Sequence, residues 1–304
     1  MNIEFSPEVQ KGREAGRAIV ALESVIVAHG LPSPANLETA VHCEDIVRRA
    51  GCVPATLALR EGVVRAGLLP EEIERLARER KSVKANLSNM AAVLASGGWG
   101  ATTVGASVWI CHRAGISVLV TGGIGGVHRG FAESFDISSD LTALSRFPVL
   151  VAAAGVKSLL DVGATRERLE TLGIPILGWR TDTFPRFYIR ESRYSVDARV
   201  ETADEVARIA RVHWAAGGAG ILLAIPCPKA QSLKEREVEE ALARAEAERK
   251  QAAKPVEGRD VTPFLLDRLH HHTQNRSIEA NIALITHNAE VGSRVARALS
   301  REAK

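Results

Sequence analysis

The chain has 304 residues, 46% of them hydrophobic and 25% charged, with a net charge of +3. That length suits one large α/β domain or two modest ones, and no basic stretch is interleaved with aromatics, so a nucleic-acid polymer is a poor ligand for it. Its longest apolar runs, such as Val149–Val156, are too short to span a bilayer. The first residues hold no apolar signal core, and Cys43, Cys52, Cys111 and Cys227 form no CxxC pair, so a cytoplasmic chain with free, buried thiols is expected.

In chain order, the first chemically unusual residue is Glu23, a carboxyl set within the apolar run Ala21–Val27 and followed closely by His29-Gly30. A carboxyl in such surroundings either pairs with a distant base or keeps its proton and serves as a general acid. A helix is predicted over 36–49, with Asn36 as its cap and Leu37, Val41, Ile46 and Val47 turned inward. Pro70 suits a first helical turn, with Glu71 and Glu72 at the positive end. The apolar run Ile116–Val120 enters Thr121-Gly-Gly-Ile-Gly-Gly, four glycines in five positions. This is a tight turn, or a loop whose amides can approach an anion. Its spacing matches neither the dinucleotide nor the ATP phosphate fingerprint. His128 and Arg129 follow, where they can meet a phosphate or carbonyl oxygen.

Asp136 and Asp140 flank Ile-Ser-Ser, and in a helix their carboxylates share a face. They are caps, or hard oxygen ligands for magnesium or manganese with several waters retained. Val149–Ala154 reads as a buried strand leading to Gly155 and Lys157. A lysine placed there either snorkels to the surface or offers an amine able to form a Schiff base with an aldehyde. Ile174–Leu177 and Gly220–Ile225 read as further buried strands, and a helix is predicted over 202–216, with Val206, Ile209, Ala210 and His213 on one stripe. The Glu/Arg/Lys/Ala-rich segment 232–254 reads as a solvated amphipathic helix running into a mobile stretch near 255–258. His270-His271-His272 is a poor metal cluster, because adjacent histidines on a helix diverge. In the last helix Ile278, Ile282, Ile285 and Ala289 form the apolar line, with the Asn281 and Asn288 amides at its edge. Strands alternating with helices of 10–15 residues indicate an α/β fold, a largely parallel central sheet covered by helices on both faces, in a single large domain spanning 1–304.

The stretches ALESVIVAHGLPSPANLETA, VPATLAL, GATTV, TGGIGGVHRG, DISSDL, AAGVKSLLD, LETLGIPILGW, TPFLLD and NIALITHNA resemble, together and in order, the pseudouridine-5'-phosphate glycosidase family, including its indigoidine-cluster members. The resemblance runs from about residue 20 to residue 290. It implies reversible conversion of pseudouridine 5'-phosphate and water to ribose 5-phosphate and uracil by a homotrimer using a divalent metal, usually manganese. Carried over by motif, Lys157 is the nucleophile, Glu23 the proton donor and Asp136 the metal ligand. Lys84, the backbone of Val104, Ser138, Ser139 and Asp140 contact substrate. His128 and Asn281 fall where the family places polar active-site residues.

The chain departs from the family pattern at three places. Ala85-Asn86-Leu87-Ser88-Asn89 replaces a serine, two arginines and an aspartate after Lys84, Ile225-Pro226 stands for an Asn-Pro pair, and Trp109 stands for a smaller aliphatic residue. These departures keep two alternatives open. One is a C-ribosyl synthase that joins ribose 5-phosphate to an aromatic acceptor other than uracil. The other is a weakened sugar-phosphate binding protein.

Overall fold

A computed structural model describes residues 2–79, 82–252, 256 and 261–301, with Thr262 and Pro263 described in their backbone alone. Its centre is an eleven-stranded sheet. Seven strands lie parallel, in the order Val53–Arg60, Ile19–Leu22, Val118–Val120, Leu150–Ala153, Ile221–Ala224, Ile176–Trp179 and Ala198–Val200. The far half of Val53–Arg60 pairs antiparallel with Val63–Ala66 and with Trp99–Thr102. Ile3–Phe5 then adds parallel to the first of these and Val83–Ala85 to the second. The sheet is thus mixed at one end and parallel through the rest.

The central strands are short apolar runs without alternation because both of their faces are covered. Every residue of Leu150–Ala153, Ile221–Ala224 and Ile176–Trp179 is buried. On one face the 26-residue helix Arg276–Arg301 crosses the middle strands between helices Ala35–Arg49 and Ala203–Ala215. Gly292 lets it close onto the sheet, since a Cβ there would stand 2.5 Å from Val120 Cγ2. Helix Val104–Ala114, with Ser139–Leu144 beside it, packs on the sheet as well, and helices cover both faces of one α/β domain.

Several local expectations need adjustment. Asn36 is no cap: it lies inside helix Ala35–Arg49 and its Nδ2 donates to Val27 O at 2.8 Å and Ala77 O at 3.0 Å. Val41 is 44% exposed, so the inward stripe runs through Ala40, Cys43, Ile46 and Val47. Helix Ala203–Ala215 begins with a complete capping box between Thr202 and Glu205 and buries Val206 and Ala210 as predicted. The 232–254 segment contributes helix Glu235–Lys250, and the stretch expected near 255–258 lies, apart from Val256, outside the described residues. All four cysteines are free and buried.

Candidate active site

The parallel strands deliver the site from their C-terminal ends, where open α/β sheets bind ligands. Leu22 pairs with Val120 across adjacent strands, so Glu23 and Thr121 leave the sheet side by side. Thr121 Oγ1 donates to Glu23 Oε1 at 3.3 Å, and the Ile26 N–H donates to Oε2 at 3.1 Å. Glu23 is 7% exposed. Burial pushes its carboxyl above the usual carboxylate range, while the nearby charge of Lys157 pulls the other way. The result is a carboxyl suited to holding a proton.

Lys157 comes from the neighbouring strand. It sits in a turn rather than at a helix start: its N–H donates to Ile124 O at 3.1 Å and its carbonyl accepts from Leu160 N at 3.0 Å. Lys84 enters from the mixed end of the sheet, in strand Val83–Ala85. Burial, reinforced by repulsion from Lys157, lowers the Lys84 ammonium pKa against the opposing pull of Asp140, Glu23 and Asp136. Glu23, Lys84, Lys157 and Asn281 line one small pocket at the strand ends.

The helix Arg276–Arg301 is rotated relative to the expected stripe. Its buried line includes Asn281, Leu284, Ile285, Asn288, Ala289 and Gly292, which puts both amides in the middle of the packed face. Asn288 Nδ2 donates to Thr121 O at 2.8 Å and Gly122 O at 3.3 Å, tying the glycine loop to the helix. Asn281 is 3% exposed, and its Oδ1 has no hydrogen-bond partner among the described residues. One amide is a structural tie and the other is turned to the pocket.

The glycine-rich loop does approach an anion, but that anion is the protein's own. Asp140 Oδ1 accepts from Gly105 N at 2.7 Å and Oδ2 from Gly125 N at 2.8 Å. A Cβ on Gly125 would collide with the Ser138 hydroxyl. Asp140 therefore clamps the loop to the first turn of helix Val104–Ala114, where the backbone of Val104 lies at the positive helix end. Asp136 and Asp140 do not share a helix face, because helix Ser139–Leu144 starts after Asp136, with Ser138 as its cap and Ser139 as its first residue. Asp136 has 44% of its side chain exposed, and His128 Nδ1 lies 3.7 Å from its Oδ2. Burial lowers the His128 pKa, partly countered by Asp136. His128 and Asp136 line a neighbouring depression rather than the pocket itself.

No group of three or more His, Cys, Asp or Glu side chains able to hold a metal occurs among the described residues. An ion held at Asp136, the expected metal ligand, would therefore take most of its ligands from water, as a hard divalent cation tolerates. Arg129 is not poised for a phosphate, since Glu239 takes its guanidinium through two 2.9 Å bonds.

Thr121, beside the pocket, and His29 and Phe187, which line it, carry no role in the sequence reading. Thr121 orients Glu23. His29, whose Nε2 lies 3.0 Å from Ser82 O, closes one side. Phe187 supplies an aromatic wall. The position of His29 six residues after Glu23 was the available signal. Nothing local marks Phe187, which arrives from a distant loop.

Comparison with known proteins places the chain in a family. The sequence profile of the family described as indigoidine synthase A like protein matches residues 8–298. The chain belongs to this family, that of the pseudouridine-5'-phosphate glycosidases. It is 45% identical over 300 residues to a pseudouridine-5'-phosphate glycosidase of Alkaliphilus metalliredigens, covering 98% of this chain and 97% of that protein. It is 46% identical over 303 residues to the protein of that name from Cupriavidus pinatubonensis, covering 99% and 96%. Among solved structures it resembles the prealnumycin C-glycosynthase AlnA in complex with ribulose 5-phosphate, at 36% identity and a TM-score of 0.90, covering 99% and 97%. An indigoidine synthase A-like protein of Thermotoga maritima matches at 35% identity and a TM-score of 0.89, with the same coverage.

Within this family frame the departures acquire physical meaning. The stretch after Lys84 is a self-contained turn. Asn86 Oδ1 accepts from Ser88 N at 2.9 Å, Ser88 Oγ at 2.7 Å and Asn89 N at 3.2 Å. Asn89 Nδ2 returns to Lys84 O at 3.0 Å. The loop's shape is held by amides instead of ion pairs, and Lys84 remains anchored. Trp109 packs against the core and is not among the residues lining the pocket. Ile225 is fully buried, with its N–H on Ala153 O at 2.8 Å.

Proposed function

We propose that this chain is a C-glycosidase that reversibly converts pseudouridine 5'-phosphate and water to ribose 5-phosphate and uracil. The observation that carries this reading is the convergence of the buried carboxyl of Glu23, whose pKa is raised by burial, with Lys157 and Lys84 in one pocket. A C–C glycosidic bond has no oxygen or nitrogen leaving group, so a two-carboxylate glycosidase scheme does not serve it. An amine nucleophile and an acid do.

In the proposed sequence the Lys157 amine attacks C1' of the ribose. The C1'–O4' bond breaks and O4' takes the proton of Glu23; the ammonium formed on the lysine nitrogen then returns a proton to the Glu23 carboxylate, leaving a ring-opened secondary amine on C1'. Glu23 passes that proton to C5 of uracil. The C1'–C5 bond then breaks, with its electron pair returning to the uracil ring, while the lysine nitrogen lone pair forms the C=N bond of an iminium. Water adds to that carbon and expels the amine, releasing open-chain ribose 5-phosphate. Lys84 and the amide end of helix Val104–Ala114, with Ser138 and Ser139, hold the phosphate. Asp140 acts by clamping these parts together. His128 orients Asp136, and Asp136 would hold one manganese or similar divalent ion per subunit, which supplies positive charge beside the phosphate. We further propose a cytoplasmic homotrimer. No helix among the described residues is long and apolar enough to cross a membrane.

The test is mass spectrometry of the intact protein after ribose 5-phosphate and borohydride. An adduct on Lys157, absent in Lys157→Ala, is expected, together with loss of at least about a thousandfold in turnover. A wild-type chain that forms no adduct with manganese present would sink the covalent scheme. A second reading, formation of the C–C bond to another aromatic acceptor, draws on the similarity to AlnA and on the altered loop after Lys84. Turnover of other acceptors at a higher kcat/KM than uracil would favour it.

A further inference from the structure

Phe187 has no part in the chemistry above, yet independent observations meet at it. It is a bulky aromatic residue at φ 60°, a region such side chains rarely adopt. The surrounding chain holds it there. Its N–H donates to Ala154 O at 2.8 Å, and Arg186 and Ile189 exchange both backbone bonds, at 2.9 and 3.2 Å. Ser158 Oγ donates to Arg186 O at 2.7 Å, and the Arg186 guanidinium pairs with Glu235 and Glu239. Gly155, two residues before Lys157, lies so close to the Pro185 carbonyl that a Cβ there would collide with it. Backbone strain held in place by so many ties points to a use for the side chain it positions.

The ring is placed against Gly122 and Gly123. A Cβ on Gly123 would stand 2.7 Å from Phe187 Cδ2. One on Gly122 would stand 3.3 Å from Phe187 Cε2 and 3.5 Å from Asn281 Oδ1. The ring edge and the unpartnered amide oxygen therefore meet over the same glycine, in the pocket that holds Lys157. Leu266 and Ile26 add apolar wall. An aromatic surface beside an unsatisfied amide complements a planar heterocycle bearing N–H groups. It does not complement a sugar phosphate, whose hydroxyls and charge call for polar and cationic partners.

We propose that Phe187 determines specificity in an acceptor subsite: its ring packs against the planar base while the Asn281 amide hydrogen-bonds the base edge. This holds the base carbon beside the sugar carbon carried on Lys157. The inference rests on the glycosidase reading, and the test separates the two by following each substrate alone. Sugar capture is read as the borohydride-trapped ribose 5-phosphate adduct, and acceptor use as the KM for uracil in the synthetic direction.

Phe187→Leu is expected to keep the wild-type extent of adduct and the wild-type KM for ribose 5-phosphate, while the KM for uracil rises roughly tenfold or more. Phe187→Tyr, which retains the ring, is expected to stay close to wild type. Should Phe187→Leu not fold, seen as loss of the adduct and of the thermal transition, Phe187→Met is read by the same criteria. An unchanged uracil KM, or equal loss for both substrates in a folded variant, would overturn the proposal and leave Phe187 a packing residue. If the wild type forms the adduct but uses no uracil, the glycosidase reading fails, and uracil as the occupant of this subsite fails with it.

Discussion

Glu23 concentrates the site's pH behaviour in one side chain. Its carboxyl is raised above 4.5 by burial, which outweighs the stabilising charge of Lys157. A raised acid is better tolerated by the fold when protonated. Its contribution to stability is therefore present below the unfolded value and is lost as pH rises through the folded one. In the proposed mechanism the same proton is the one given to the ribose ring oxygen. Turnover is expected to decline as pH climbs through the raised Glu23 value. Glu23→Gln is expected to lower kcat by about a hundred- to ten-thousandfold and to erase that limb of the profile. It should also flatten the loss of stability with rising pH in denaturant titrations. A Gln variant that keeps the wild-type pH profile would remove Glu23 from the proton donor's place.

At the scale of elements, the clamp made by Asp140 joins the glycine loop after one strand to the first turn of a helix after another. Asp140→Asn keeps the size but supplies only one oxygen for two amides. It is expected to cost about 1–3 kcal/mol in urea unfolding, with a raised KM for phosphate-bearing substrate. A variant of unchanged stability would show that the loop holds its shape without the clamp. This element also marks where sequence reading stops. Asp140, Ser138 and the glycines were legible as residue types, and short apolar runs ending in glycine were enough to indicate the parallel sheet. The partner of Gly125 was not, because a carboxylate fifteen residues on can meet a ligand or the backbone with equal local logic. The helix Arg276–Arg301 was legible in extent. Its rotation was not, since the sheet beneath takes small and amide side chains as readily as isoleucine where they find carbonyls to bond. Glu23, Lys84, Lys157 and Asn281 could be named because the family motifs carry them. Phe187 and Thr121 required the fold.

For the whole molecule, the proposed trimer is the statement most open to a single measurement. Phe135, with φ 53°, is 75% exposed and in edge contact with Phe131, next to Asp136. A second copy of the chain would cover such a ring, and association there would add surface beside Asp136. Light scattering is expected to return three times the chain mass of 32.6 kDa, and a single-chain mass at working concentration would refute the trimer. The residues of the pocket run from Glu23 to Asn281, and the glycine loop is tied down by Asn288. During synthesis the sheet can therefore begin to form while the pocket still lacks a wall and the loop its tether. The helix that carries both asparagines leaves the ribosome last, so the pocket is completed only at the end of synthesis.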